Sequence, residues 1–272
     1  MTRILFFLMT TGCILPSVAT VFSQDPVPEH QSFKLESKEV NEVRTICVWT
    51  PKDYKTSSRK YPVLYMPDGG IKEDFPHIAN TIAKLIDQKN IPEFILVGIE
   101  NTERRRDLTG PSSVKSDQKI APTTDGASRF RAFISNELIP EIERRFRTSK
   151  NRGIIGESAA GLFVVETLLL KPKMFDFYIA MDPAIYWNDS YLVRTAKDHL
   201  KKFPRDNKRF WFAGSNATDI SSNTRRLAEI LKTSAPKSLV WTYSDQPKEK
   251  HSTIFRATKE AALKWATNPP NE

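Results

Sequence analysis

Eight stretches of the chain carry the apolar pattern of buried or half-buried strands: 33–40, 43–50, 61–67, 94–100, 152–156, 177–182, 209–213 and 239–244. The first two lie close together around Asn41, which predicts a β-hairpin. From the third onward each strand-like run is followed by a segment of helical periodicity. That alternation is the signature of right-handed βαβ units and a mostly parallel sheet covered by helices on both faces. The clearest helix spans about 128–146, with Phe130, Phe133, Ile134, Leu138, Ile142 and Phe146 on one stripe. Pro140 falls inside it and predicts a kink or a fresh start there. A second apolar helix covers 162–170 and stops before Pro172. Between the sixth and seventh strands only about 183–208 are available, and 101–127 follow the fourth, so no large cap is expected.

The first 23 residues depart from this pattern. Met1-Thr2-Arg3 carries one positive charge, the following residues to Phe22 are mostly apolar, and no acid precedes Asp25. Such a segment reads as an export signal, with small residues at Ala19 and Ser23 and Gln24 as the new N-terminus. An uncleaved anchor is the alternative, opposed by the interruptions at Thr10, Thr11, Gly12 and Pro16. Lipid attachment at Cys13 is a third reading, weakened by the short apolar run and polar Thr10 before it. The remaining 24–272 are expected to form one domain, periplasmic or secreted, without stable membrane insertion. Cys47 is the only thiol beyond the leader, so an internal disulfide framework is excluded.

Charge changes the picture little. With 41 Lys and Arg against 32 Asp and Glu the formal net charge is +9. The cations are scattered among acids, as in Glu141-Ile142-Glu143-Arg144-Arg145, so no nucleic-acid recognition stripe emerges. Four His and two Cys, none closely spaced, give no case for a metal site or another cofactor.

The run Arg152-Gly153-Ile154-Ile155-Gly156-Glu157-Ser158-Ala159-Ala160-Gly161 passes from a short strand straight into an apolar helix. A nucleophilic serine on such a turn needs small neighbours two before and two after it, so that Oγ projects above the sheet. Gly156 and Ala160 supply them, although Ala160 adds a methyl to the usual glycine. The plainer reading is a capping serine.

Serine needs a base and a group to orient it. In hydrolases built on such a sheet the order is Ser, acid, His, with the His after the last strand. Of His30, His77, His199 and His251, only His251 stands there. The acid should follow the seventh strand, where 214–219 offer Asp219. Asp245 and Glu249 on the His251 loop compete with it, as does a dyad with water or a backbone carbonyl in the third role. Asp219 could equally cap the helix that follows. Donors for a developing oxyanion are expected from the backbone of Ala159 and of the Asp68-Gly69-Gly70 turn, with Gly70 as the second donor.

The chain resembles the esterase family of α/β hydrolases that includes siderophore trilactone esterases, S-formylglutathione hydrolase, feruloyl and acetylxylan esterases and mycolyltransferases. The stretches that carry the resemblance are 61–69, 97–101 followed by 104–109, 133–142, the Ser158 elbow, 182–187 and 251–253. They lie in order across about 33–265. The arginine-rich loop and the His251-Ser252-Thr253 ending are most similar to periplasmic siderophore esterases. Pro67, Gly70 and Ala160 depart from the family's pattern around the oxyanion region. The resemblance implies an α/β-hydrolase fold and two-step ester hydrolysis by Ser158, His251 and Asp219, on a small-molecule or polysaccharide-attached ester. A carbohydrate ester or an acyl acceptor other than water remains open, as does a non-catalytic binding protein. Tyr186 and Trp187 could stack on an acyl group or pack the wall, and Arg104, Arg105 and Arg106 could draw in an anion or simply be solvated.

Overall fold

The computed structural model describes residues 25–121 and 125–268, so the leader reading lies outside the described residues. Eight strands form one sheet: β1 (Gln31–Ser37), β2 (Glu42–Trp49), β3 (Tyr61–Pro67), β4 (Ile95–Ile99), β5 (Thr148–Glu157), β6 (Phe177–Met181), β7 (Lys208–Gly214) and β8 (Leu239–Asp245). Their order is β1-β2-β4-β3-β5-β6-β7-β8. The β1–β2 and β2–β4 pairs are antiparallel and every pair from β3 to β8 is parallel. The expected α/β architecture is therefore observed. Asn41, at φ 54°, turns the predicted hairpin. β5 starts earlier than its apolar pattern, because Thr148 to Arg152 are polar and only partly covered while still pairing with β3.

Nine helices, counted among the described residues, surround the sheet. They are α1 (Phe75–Asp87), α2 (Arg104–Leu108), α3 (Lys115–Ile120), α4 (Gly126–Phe133), α5 (Ile139–Arg145), α6 (Ala159–Leu170), α7 (Trp187–Lys201), α8 (Thr218–Ser234) and α9 (Ile254–Thr267). Period-two alternation divides each central strand between two cores. Val63, Tyr178, Phe210 and Phe212 pack beneath α4 to α8, while Leu64, Ile179, Trp211 and Ala213 pack beneath α1 and α9. Helices therefore cover both faces, as a mainly parallel sheet requires.

The helix predicted over 128–146 divides at Pro140 as expected, with α5 starting afresh at Ile139 and the proline in its first turn. A π turn, Ile134–Leu138, joins α4 to α5, and the wider turn lets the stripe continue past a residue without an N–H. The segment after β4 is not featureless, since α2 and α3 order it. Arg44, wholly buried, pairs with Asp107 of α2 at 2.7 Å and lies over the Phe130 and Phe133 rings. That ion pair fixes α2, and with it Arg104, against the sheet. Among the described residues no helix is long and apolar enough to cross a membrane.

Candidate active site

The carboxyl ends of the parallel strands converge on one edge, where sheets of this kind hold their ligands. β5 ends at Glu157 and α6 begins at Ala159, so Ser158 alone makes the turn. Its backbone is held at φ 57°, ψ −116°, a region a non-glycine residue enters only when its surroundings impose it. Three hydrogen bonds do so: the Ser158 N–H donates to Met181 O at 3.0 Å, and its carbonyl accepts from Leu162 at 2.8 Å and Ala184 at 3.0 Å. A Cβ on Gly156 would lie 2.6 Å from the carbonyl carbon of Ala160. The methyl of Ala160 is thus accommodated because residue 156 has none.

His251, on the loop between β8 and α9, brings Nε2 to 3.0 Å from Ser158 Oγ. Its Nδ1 lies 2.6 Å from Asp182 Oδ2. A carboxylate only accepts, so Nδ1 carries the hydrogen and Nε2 is free to accept from the serine. Asp182 follows β6 directly and is fully buried. Ser215, just beyond β7, donates to it twice, from its N–H at 2.6 Å and from Oγ at 2.7 Å. The hydrogen bond from His251 to Asp182 raises the proton affinity of the imidazole; burial opposes it, and the Glu157 charge adds to it.

The expectation for Asp219 is corrected. Asp219 is exposed in the first turn of α8, where an acid complements the helix dipole, and the structure does not bring it to His251. Asp245 pairs instead with Arg225, and Glu249 accepts from Thr253 Oγ1 at 2.7 Å. The seventh-strand loop still serves the acid, but through Ser215. Asp182 was readable as an acid directly ending the wholly apolar β6, on the same sheet edge as Ser158.

Ala159 opens α6, so its N–H has no partner within the helix and points from the serine turn. Gly70 is corrected as the second oxyanion donor, because its N–H is already given to Glu73 Oε2 at 2.7 Å. Glu73 is held in turn by Asn101 Nδ2 at 2.8 Å. The preceding Gly69 could be nothing larger, since a Cβ there would lie 2.3 Å from Gly98 Cα. Asp68 accepts a bidentate pair from Arg104, Nε at 2.6 Å and Nη2 at 2.7 Å. Anchored there, Arg104 faces Glu157 and its charge also bears on His251.

The other two arginines of that loop turn elsewhere. Arg105 donates to Ile120 O and Arg106 pairs with Glu42 and Asp107. Trp187 packs against the core and donates from Nε1 to Gly110 O at 2.9 Å, which makes it wall, whereas Tyr186 is exposed. Among the described residues no group of three or more His, Cys, Asp or Glu side chains is arranged to hold a metal ion.

A sheet of this order, with a serine on the sharp turn after β5, defines an α/β hydrolase. The model of the family described as "Putative esterase" matches residues 37–267. The chain belongs to that family and is a carboxylic ester hydrolase. It is 30% identical over 231 residues to the ferri-bacillibactin esterase BesA of Bacillus subtilis, covering 77% of this chain and 80% of that one. It is 25% identical over 249 residues to the apo-salmochelin esterase of Escherichia coli, covering 82% and 75% of the two chains. Among solved structures, an IroE-like serine hydrolase from Shewanella oneidensis superposes with a TM-score of 0.79 at 28% identity, over 87% of this chain and 79% of that one.

Proposed function

We propose that the chain is a serine esterase acting through Ser158, His251 and Asp182 and an acyl-enzyme intermediate. One observation carries the reading: the aligned hydrogen bonds from Asp182 through His251 to Ser158, 2.6 and 3.0 Å long. Ser158 Oγ attacks the ester carbonyl while His251 Nε2 takes its proton. Asp182 keeps Nδ1 protonated, so that Nε2 is a base, and balances the imidazolium as it forms. The Ala159 N–H, at the positive end of α6, stabilises the tetrahedral oxyanion. His251 then returns the proton to the leaving alcohol. Water enters, gives its proton to the same nitrogen, and releases the acid.

The substrate class we infer is a siderophore ester, in keeping with the relatives named for ferri-bacillibactin and apo-salmochelin. Arg104, bound on one edge by Asp68, adds positive charge at this end of the sheet and favours an anionic or catecholate ligand. The apolar N-terminal segment is read as the leader that exports the enzyme to the periplasm or beyond, which N-terminal sequencing of the mature protein tests.

The test of the whole reading is hydrolysis of p-nitrophenyl butyrate by wild type, Ser158→Ala and His251→Ala, followed by a panel of a catecholate trilactone, a feruloyl sugar and acetylated xylan. Turnover that vanishes in both variants, with preference for the trilactone, is the expected result. Turnover that survives Ser158→Ala would overturn the mechanism. Preference for the feruloyl or acetyl ester would overturn the substrate class alone.

A further inference from the structure

His251 has a second acidic neighbour. Glu157, the residue before the nucleophile, places Oε1 3.6 Å from Nδ1, the nitrogen that Asp182 already holds. Among the described residues its carboxylate makes no hydrogen bond, so packing against a polar partner does not explain its position. It is only 18% exposed at the side chain, and it lines a cavity of about 220 Å³ together with Asp74, His77, His251 and Arg256. The charges facing it come from four elements. Asp74 before α1 and Asp182 after β6 repel its anion, while Arg104 of α2 and His251 after β8 attract it. His77 of α1, itself paired with Asp74, and Arg256 of α9, paired with Asp25, complete the cavity's charged lining. Burial dominates this balance and pushes the Glu157 carboxyl up to about 7.

We propose that Glu157 is a positioning residue for His251, a second carboxylate that sets the basicity of the imidazole in concert with Asp182 and exchanges its proton with solvent through this cavity. The proposal rests on the Ser158 and His251 reading and deepens it. During attack the serine proton moves to Nε2, and the imidazolium Nδ1–H then faces two carboxylates. With Glu157 ionised, the imidazole holds that proton more tightly. With Glu157 protonated, Asp182 alone balances the charge, and His251 reverts more readily to the neutral base. The proton that Glu157 takes up comes from solvent and returns there, so the reaction's stoichiometry is unchanged.

The experiment is the pH dependence of kcat/KM for p-nitrophenyl butyrate, and of the labelling rate of Ser158 by a fluorophosphonate, in wild type, Glu157→Gln and Glu157→Asp. The isosteric glutamine is expected to move the acid limb of both profiles down by about one pH unit, the scale of removing an opposite charge at this separation. Aspartate, with its charge drawn back by one methylene, should give a smaller shift in the same direction. The His251 Cε1–H resonance should titrate lower in parallel, a readout that a purely structural role would not move. Profiles and resonance superimposing on wild type, or a lower plateau with an unmoved midpoint, would overturn the proposal. Ser158→Ala, run alongside, separates the two failures. If it is inert while glutamine changes nothing, only the role of Glu157 falls, whereas if it still turns over, the active-site reading falls with it.

Discussion

Replacing Asp182 by asparagine separates orientation of the base from mere proximity. Asp182 has no exposed surface, and its carboxylate accepts three donors within 2.7 Å: the Ser215 N–H, Ser215 Oγ and His251 Nδ1. Asparagine keeps the shape but can present an N–H where Oδ2 stood. His251 Nδ1 must then accept, the hydrogen moves to Nε2, and the base points a donor at Ser158. An acid-to-amide change of this kind in a Ser-His-Asp system lowers kcat by about 10⁴-fold, or about 5 kcal/mol of transition-state stabilisation. We expect that loss in kcat for p-nitrophenyl butyrate at pH 8, with KM nearly constant, because Asp182 touches no substrate. Ser215→Ala, which removes one of the three donors, should fall in between. Asp219→Asn should stay within about twofold of wild type, since Asp219 is exposed and acts only on the α8 dipole. An Asp182→Asn enzyme within tenfold of wild type, or an Asp219→Asn enzyme as crippled as Asp182→Asn, would refute the assignment of the acid.

Other consequences concern stability. Asp107→Ala leaves the buried Arg44 with Glu42 alone, at 3.0 Å, in place of two carboxylates, and urea denaturation should show a loss of about 1–3 kcal/mol. A carboxyl that binds its proton more tightly folded than unfolded withdraws stability as pH rises from the unfolded to the folded pKa. For Glu157 that window runs from 4.5 to about 7, and the withdrawn stability is at most about 3 kcal/mol. Glu157→Gln should therefore raise Tm by a few degrees at pH 8 and by little at pH 4.5, measured by calorimetry; an equal gain at both would contradict the burial of its charge. Gly156→Ala forces a methyl to within 2.7 Å of the Ala160 side chain, so it should abolish esterase activity and lower Tm, whereas Ala160→Gly should remain active.

The sheet was legible because buried parallel strands leave unbroken apolar runs, and eight such runs had eight counterparts in the structure. Ser158 and His251 were legible for a different reason: the small-residue requirement of the elbow and the scarcity of histidine each leave one place to stand. The acid had neither signature. Any carboxylate at the right edge of the sheet can reach an imidazole on a long loop, and rules of strand order favour the loop after β7, where Asp219 lies. What decides between strands is three-dimensional, namely that the positive φ of Asp182, 46°, turns its side chain under His251 while the loop after β7 contributes Ser215 to receive it. Gly70 failed for a related reason, because a glycine's N–H is informative only once its acceptor is known, and Glu73 three residues on had claimed it. Both errors arose where polar partners are chosen by geometry and not by pattern. Glu157 belongs to the same class: in the sequence it is one unremarked letter of the elbow, and only the 3.6 Å to Nδ1 makes it a second acid on the base.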